Sequence, residues 1–216
     1  MAERARGAVV LDLVERWRKA SSRGLLYFSK SEREAEYLGA NVHSLFPNCP
    51  VMVFPRWDCS PYDPAGPSRE TMGRRASVLR RLAAPLPEPL VIATPEAALQ
   101  RVPPRSIWRG ATLTLRAGEE ISLEALRSFL ERTAYALDTL VDEPGEAAIH
   151  GQTIDVFPAG GLGPVRIDVT DGRVTAISTY DPATQRTTEA VSEIVLDAAR
   201  LECTPFRPDT GASRRA

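Results

Sequence analysis

Apolar residues change their spacing near the middle of this chain. In the first half, short unbroken apolar runs alternate with stretches of helical period. Leu11, Val14, Trp17 and Arg18 recur at helical spacing, so Leu11–Lys19 reads as a helix. Gly24-Leu-Leu-Tyr-Phe-Ser29 is an apolar run bounded by turn-forming residues, the pattern of a buried strand. Ser31–Phe46 predicts the next helix, with Ser31 as its N-cap and Glu34 as the capping-box partner. Val51–Phe54 and Leu90–Ala93 read as two further buried strands. Between them Met72, Ala76, Leu79 and Ala83 form a core-facing stripe, flanked by arginines. Strands and helices in this order imply a mostly parallel sheet.

Beyond Trp108 the period shortens. Thr112–Arg116 alternates like a half-exposed strand, and Ser122–Thr133 reads as a capped helix. Strands are then expected at Thr153–Phe157, Val165–Val169, Val174–Tyr180 and Glu193–Leu196, with turns at Gly160-Gly161, Asp171-Gly172 and Asp181-Pro182. Asp171-Gly172 suits a type I′ hairpin, whose two central residues both take positive φ. The expected fold is therefore α/β: a parallel-sheet domain over residues 1–111, a small α+β domain with an antiparallel sheet over 112–198, and a frayed tail over 199–216.

Composition narrows the function classes. Of 216 residues, 43% are hydrophobic and 25% charged, enough apolar surface to bury a core and set aside disorder as the main state. No run approaches 18 uncharged apolar residues, so no transmembrane helix is expected. The amino terminus enters a charged helix and not an apolar signal segment, which reads as cytoplasmic. A net charge of −1 gives no bulk attraction to nucleic acid or membrane. That balance hides an Arg-rich middle and an acidic second half, and no feature signals oligomerisation, so a monomer is expected.

Candidate chemistry is sparse. Cys49, Cys59 and Cys203 lie too far apart for a zinc set, and His43 and His150 are isolated. Gly24–Ser31 matches the phosphate-loop pattern except that Ser29 stands at the second glycine, and its Leu-Leu-Tyr-Phe interior favours a strand over a cradle. Asp142-Glu143 runs into Pro144-Gly145 and reads as a turn. No catalytic residues, cofactor or metal are expected, so the chain reads as non-enzymatic. Arg69, Arg74, Arg75, Arg80 and Arg81 on one helix could meet phosphates, which leaves a DNA-binding or regulatory remnant as the alternative to a solvated helix face.

One ordered set of motifs goes further. Phe54-Pro-Arg-Trp-Asp-Cys-Ser-Pro-Tyr62-Asp63 is followed by Pro67, Arg75 and Leu79, then by Ala93-Thr-Pro-Glu-Ala-Ala-Leu-Gln-Arg101-Val-Pro-Pro104. The second half adds Pro144-Gly-Glu146, His150-Gly151, Asp155-Val-Phe-Pro158, Arg166-Ile-Asp168, Asp171-Gly172 and Tyr180-Asp-Pro-Ala-Thr-Gln-Arg-Thr187. In this order and spacing the set resembles the amino-terminal part of the bacterial transcription-repair coupling factors (the Mfd family), a module shared with the excision-repair protein UvrB. The resemblance runs from about residue 8 to about 202. It implies a degenerate helicase-like α/β domain up to about residue 111, without ATPase activity, and an inserted domain over about 112–198 that docks on UvrA. It places the docking contacts at His150, Arg166 and Thr170, of which only Arg166 matches the family, the others being an Arg and an aromatic there. A mostly neutral imidazole does not reproduce a charged planar fork. Loss of one such contact and one aromatic anchor costs about 2–5 kcal/mol, so weakened or altered docking is expected.

Overall fold

A computed structural model describes residues 6–20, 24–60, 66–84, 88–104 and 110–200. The expected tail lies outside the described residues from position 201 onward.

The first unit contains α1 (Arg6–Lys19), β1 (Leu25–Phe28), α2 (Glu32–Leu45), β2 (Val51–Phe54), α3 (Arg69–Ala83), β3 (Leu90–Ala93) and α4 (Pro95–Leu99). Its three strands are parallel in the order β1-β3-β2. Alternation along central β3 assigns the two faces. Leu90 and Ile92 meet Val10, Leu13 and Val14 of α1 and Ala35, Leu38 and Val42 of α2. Val91 and Ala93 join Met52, Phe54, Val78 of α3 and Ala97 of α4 on the other face. Ser31 caps α2 by accepting the Glu34 N–H, while the Glu34 carboxylate accepts from Lys30 N–H, one residue earlier than a strict capping box.

One expectation needs correction here. β1 is a strand, but it is not buried: Leu26 and Phe28 are each 52% exposed. It lies at the sheet edge, with α1 packed on the side of Leu25 and Tyr27. A four-residue apolar run carries no signal for whether one face or two are covered.

The second unit contains β4 (Thr112–Arg116), α5 (Leu123–Arg132), β5 (Ala136–Leu137), β6 (Glu146–His150), β7 (Thr153–Val156), β8 (Val165–Thr170), β9 (Arg173–Tyr180), β10 (Thr187–Ala190) and β11 (Glu193–Asp197). Six strands form a sheet in the order β10-β9-β8-β7-β6-β5, antiparallel throughout except for the short β5–β6 pair. β4 pairs with β11 as a separate antiparallel ribbon. Leu126, Phe129 and Leu130 of α5 pack on Ile154, Val156, Val165, Ile167, Val169 and Ile177, the inward positions of the sheet. The β8–β9 hairpin turns at Asp171 and Gly172 with φ of 51° and 73°, as the type I′ reading requires.

α3 ties the units together. Arg80 donates through Nε (2.7 Å) and Nη2 (3.2 Å) to the buried carboxylate of Asp197 at the end of β11. Thr112 Oγ1 reaches the same carboxylate at 3.0 Å, and Tyr135 Oη donates to the Asp197 carbonyl at 2.8 Å. Gly73 lies flush against the Ala159–Gly160 backbone, where a Cβ would come within 2.3 Å of the Ala159 carbonyl carbon. Among the described residues no helix is long and apolar enough to cross a membrane.

Candidate docking face

The six-stranded sheet has one face on α5 and one face turned away. Alternation puts Ile154, Ile167 and Val169 inward, and Asp155, Arg166, Asp168 and Thr170 outward. Register then lines up the outward residues across strands. Ala148 of β6 opposes Asp155, which opposes Arg166, which opposes Ser178 of β9. The adjacent row runs from His150 through Thr153 to Asp168 and Ala176. Thr170 follows at the exposed end of β8, beside the turn. The three expected docking residues, His150, Arg166 and Thr170, thus share one face of one sheet.

Arg166 is held more tightly than its sequence position suggests. Nε donates to Asp155 Oδ1 at 2.8 Å and Nη2 to Oδ2 at 2.7 Å, a side-on bidentate pair. The guanidinium stands over the Tyr180 ring, 5.1 Å from its centroid, and Nη1 approaches the Gln185 carbonyl at 3.5 Å. Asp155 is buried, with its side chain 8% exposed, while the Arg166 side chain keeps 27%. Hydrogen bonding to Asp155 raises the Arg166 pKa above its ordinary value, outweighing desolvation. Burial, and next the Asp155 charge, push the Tyr180 phenol up to about 12. The charged fork is therefore not wholly outward. Nε and Nη2 are engaged by Asp155 and Nη1 lies near the Gln185 carbonyl, while about a quarter of the side chain stays exposed.

The neighbouring ends of the face differ. Val141 is buried against Ala148 and Phe157, and Tyr180 Oη donates to the Val141 carbonyl at 3.0 Å, so the segment after β5 covers one end. The amides of Asp142 and Glu143 donate to the Glu146 carboxylate, consistent with the turn read there. At the other end His150 and Thr170 are exposed, and Thr153 Oγ1 donates to Asp168 at 3.1 Å.

The Arg-rich helix does not present a solvated row of cations. Arg74 pairs with Glu36, and with Glu70 at 3.9 Å. Arg75 is 2% exposed, lies 4.1 Å from both the Phe54 and Trp57 rings, and donates to the Pro55 carbonyl and to Gln100 Oε1. Arg80 is committed to Asp197. A periodic stripe identifies the helix but not these partners, which come from other segments.

A cleft of about 630 Å³ lies at the ends of β1 and β3, lined by Lys30, Ser31, Arg33 and Arg56 among others. Ser31 is occupied as the α2 cap, and Arg56 pairs with Glu32 at 3.0 Å and approaches Glu96 at 3.8 Å. Carboxylates of the chain itself thus stand among its cations. Among the described residues no cluster of three or more His, Cys, Asp or Glu is placed to hold a metal.

Residues 113–201 match the family model described as the UvrB interaction domain. The transcription-repair-coupling factor of Escherichia coli K12 is 33% identical over 153 residues, 71% of this chain and 13% of that protein. The transcription-repair-coupling factor of Bacillus subtilis is 29% identical over 168 residues, 77% of this chain and 14% of its own. That of Myxococcus xanthus is 27% identical over 182 residues, 83% of this chain and 15% of its own. The chain therefore spans a small part of the length of the relatives it matches.

Proposed function

Because this chain carries a UvrB interaction domain within a stretch related to the bacterial transcription-repair coupling factors, we propose that it is a non-enzymatic docking module of nucleotide excision repair that binds UvrA. A part in contacts between repair proteins follows from the domain itself; UvrA as the partner follows from the resemblance of the motifs. The observation that carries the reading is a coincidence of place. The matched span 113–201 contains all six strands of the six-stranded sheet, and its outward face brings His150, Arg166 and Thr170 together. On the same reading the module works in the cytoplasm, as its kinship with bacterial repair factors suggests.

His150 and Thr170 make this face less cationic and less aromatic than the family pattern, leaving Arg166 as the principal anchor. Calorimetric titration with UvrA of the same organism is expected to show binding, weakened about 10- to 100-fold by Arg166→Ala. Folded protein that gives no heat at concentrations on the order of 50 µM overturns the reading. Binding unchanged by Arg166→Ala moves the contact to another face. A binding curve that falls steeply with salt, together with affinity for bare DNA, favours instead the α3 arginines and phosphate contacts.

A further inference from the structure

We infer that Asp155, Tyr180 and the turn after β9 form a preset cradle for Arg166, so that Asp155 and Tyr180 are positioning residues for the docking contact. This rests on the docking reading above. The geometry has three independent parts. Asp155 fixes the guanidinium plane from one side by two parallel bonds of 2.8 and 2.7 Å, and is itself buried. The Tyr180 ring supports the cation from a second direction. The third part is the turn. Gln185 takes φ of 59°, a conformation uncommon for a residue with a side chain. It is held there by its N–H to the Asp181 carbonyl at 2.7 Å and by Nε2 to the Pro182 carbonyl at 2.8 Å. Asp181 anchors the same turn by accepting the Ala183 N–H at 2.8 Å and donating its own N–H to the Arg186 carbonyl at 3.0 Å. The result aims the Gln185 carbonyl at Arg166 Nη1.

A long exposed arginine normally samples many rotamers, and a partner must freeze them. Here the freezing is done before the partner arrives. What stays exposed, 27% of the side chain, belongs to a guanidinium of fixed tilt whose N–H groups not used by Asp155 and Gln185 suit an acceptor such as a carboxylate or a carbonyl oxygen.

The test is a double-mutant cycle read by affinity for UvrA. Asp155→Asn is expected to weaken binding about 10-fold in the wild-type background and to have no further effect in Arg166→Ala. Tyr180→Phe keeps the ring and is expected to bind as wild type, whereas Tyr180→Leu weakens binding about as Asp155→Asn does. Equal losses from Asp155→Asn in both backgrounds, as a merely structural role gives, overturn the inference and leave the docking reading standing. No binding by wild type sinks the docking reading. The cradle is then judged by nitrogen relaxation of the Arg166 Nε–H group in the free protein. That group is expected to be rigid in wild type and mobile in Asp155→Asn, and equal mobility in the two overturns the cradle.

Discussion

Asp58 shows how a single carboxylate is balanced between opposing effects. Burial pushes its pKa up, but bonds from Ser68 and Thr71 outweigh burial and leave it below the usual carboxylate range. The folded pKa is thus lower than the unfolded one, so its contribution is present above about pH 4 and is lost as pH falls through the folded value. Urea unfolding at a series of pH values is expected to show a shallower acid decline in Asp58→Asn than in wild type; parallel declines contradict this. Tyr180 has the opposite sign. Its phenol is pushed up to about 12, so the unfolded chain releases that proton first and stability falls as pH rises from about 10 toward 12. Tyr180→Phe is expected to flatten that alkaline decline, checked by thermal unfolding across the same range. Arg75, stacked between Phe54 and Trp57, depends on a planar cation. Arg75→Lys is expected to cost about 2 kcal/mol in denaturant unfolding, and a neutral result shows that the stack contributes little.

At the scale of elements, α3 is constrained by its smallest residue. A methyl group at Gly73 would run into the Ala159–Gly160 backbone, so Gly73→Ala is expected to destabilise, although alanine ordinarily favours an exposed helix by about 1 kcal/mol. Chemical denaturation decides it, and a gain in stability contradicts the close approach. The elements legible in the sequence are those whose signals are local. Ser31 and Ser122 cap α2 and α5 as read, and Val51–Phe54 and Leu90–Ala93 are apolar at every position. β10 is Thr-Thr-Glu-Ala and exposed along its whole length, so no apolar period could mark it. β6 builds its inward and covered positions partly from alanine, a weak strand former. α4 carries a local signal in the sequence, Thr94 as cap and Pro95 in the first turn, but its five residues are too few to show an apolar period. Within the candidate site, His150, Arg166 and Thr170 could be named from motifs, but Asp155 as the partner of Arg166 depends on strand register, which the chain pattern alone does not specify.

For the whole molecule, the decisive contacts cross between the two units. The Arg80–Asp197 pair joins a helix of the first to a strand of the second, with the carboxylate nearly buried. Removing the cation strands that charge, so Arg80→Met is expected to cost about 3 kcal/mol. Scanning calorimetry is expected to show one transition for wild type and a separated or broadened one for Arg80→Met; a single sharp transition in both shows that the units remain cooperative without the pair. Gly73 against Ala159–Gly160 closes the same junction by shape. The junction has a geometric consequence. A tether that merely links two bodies sets their encounter by its length, through an effective concentration. This junction sets a bearing instead: a partner docked on the proposed face of the six-stranded sheet would stand at one distance and one angle from the parallel sheet, and lengthening a linker elsewhere would not alter either.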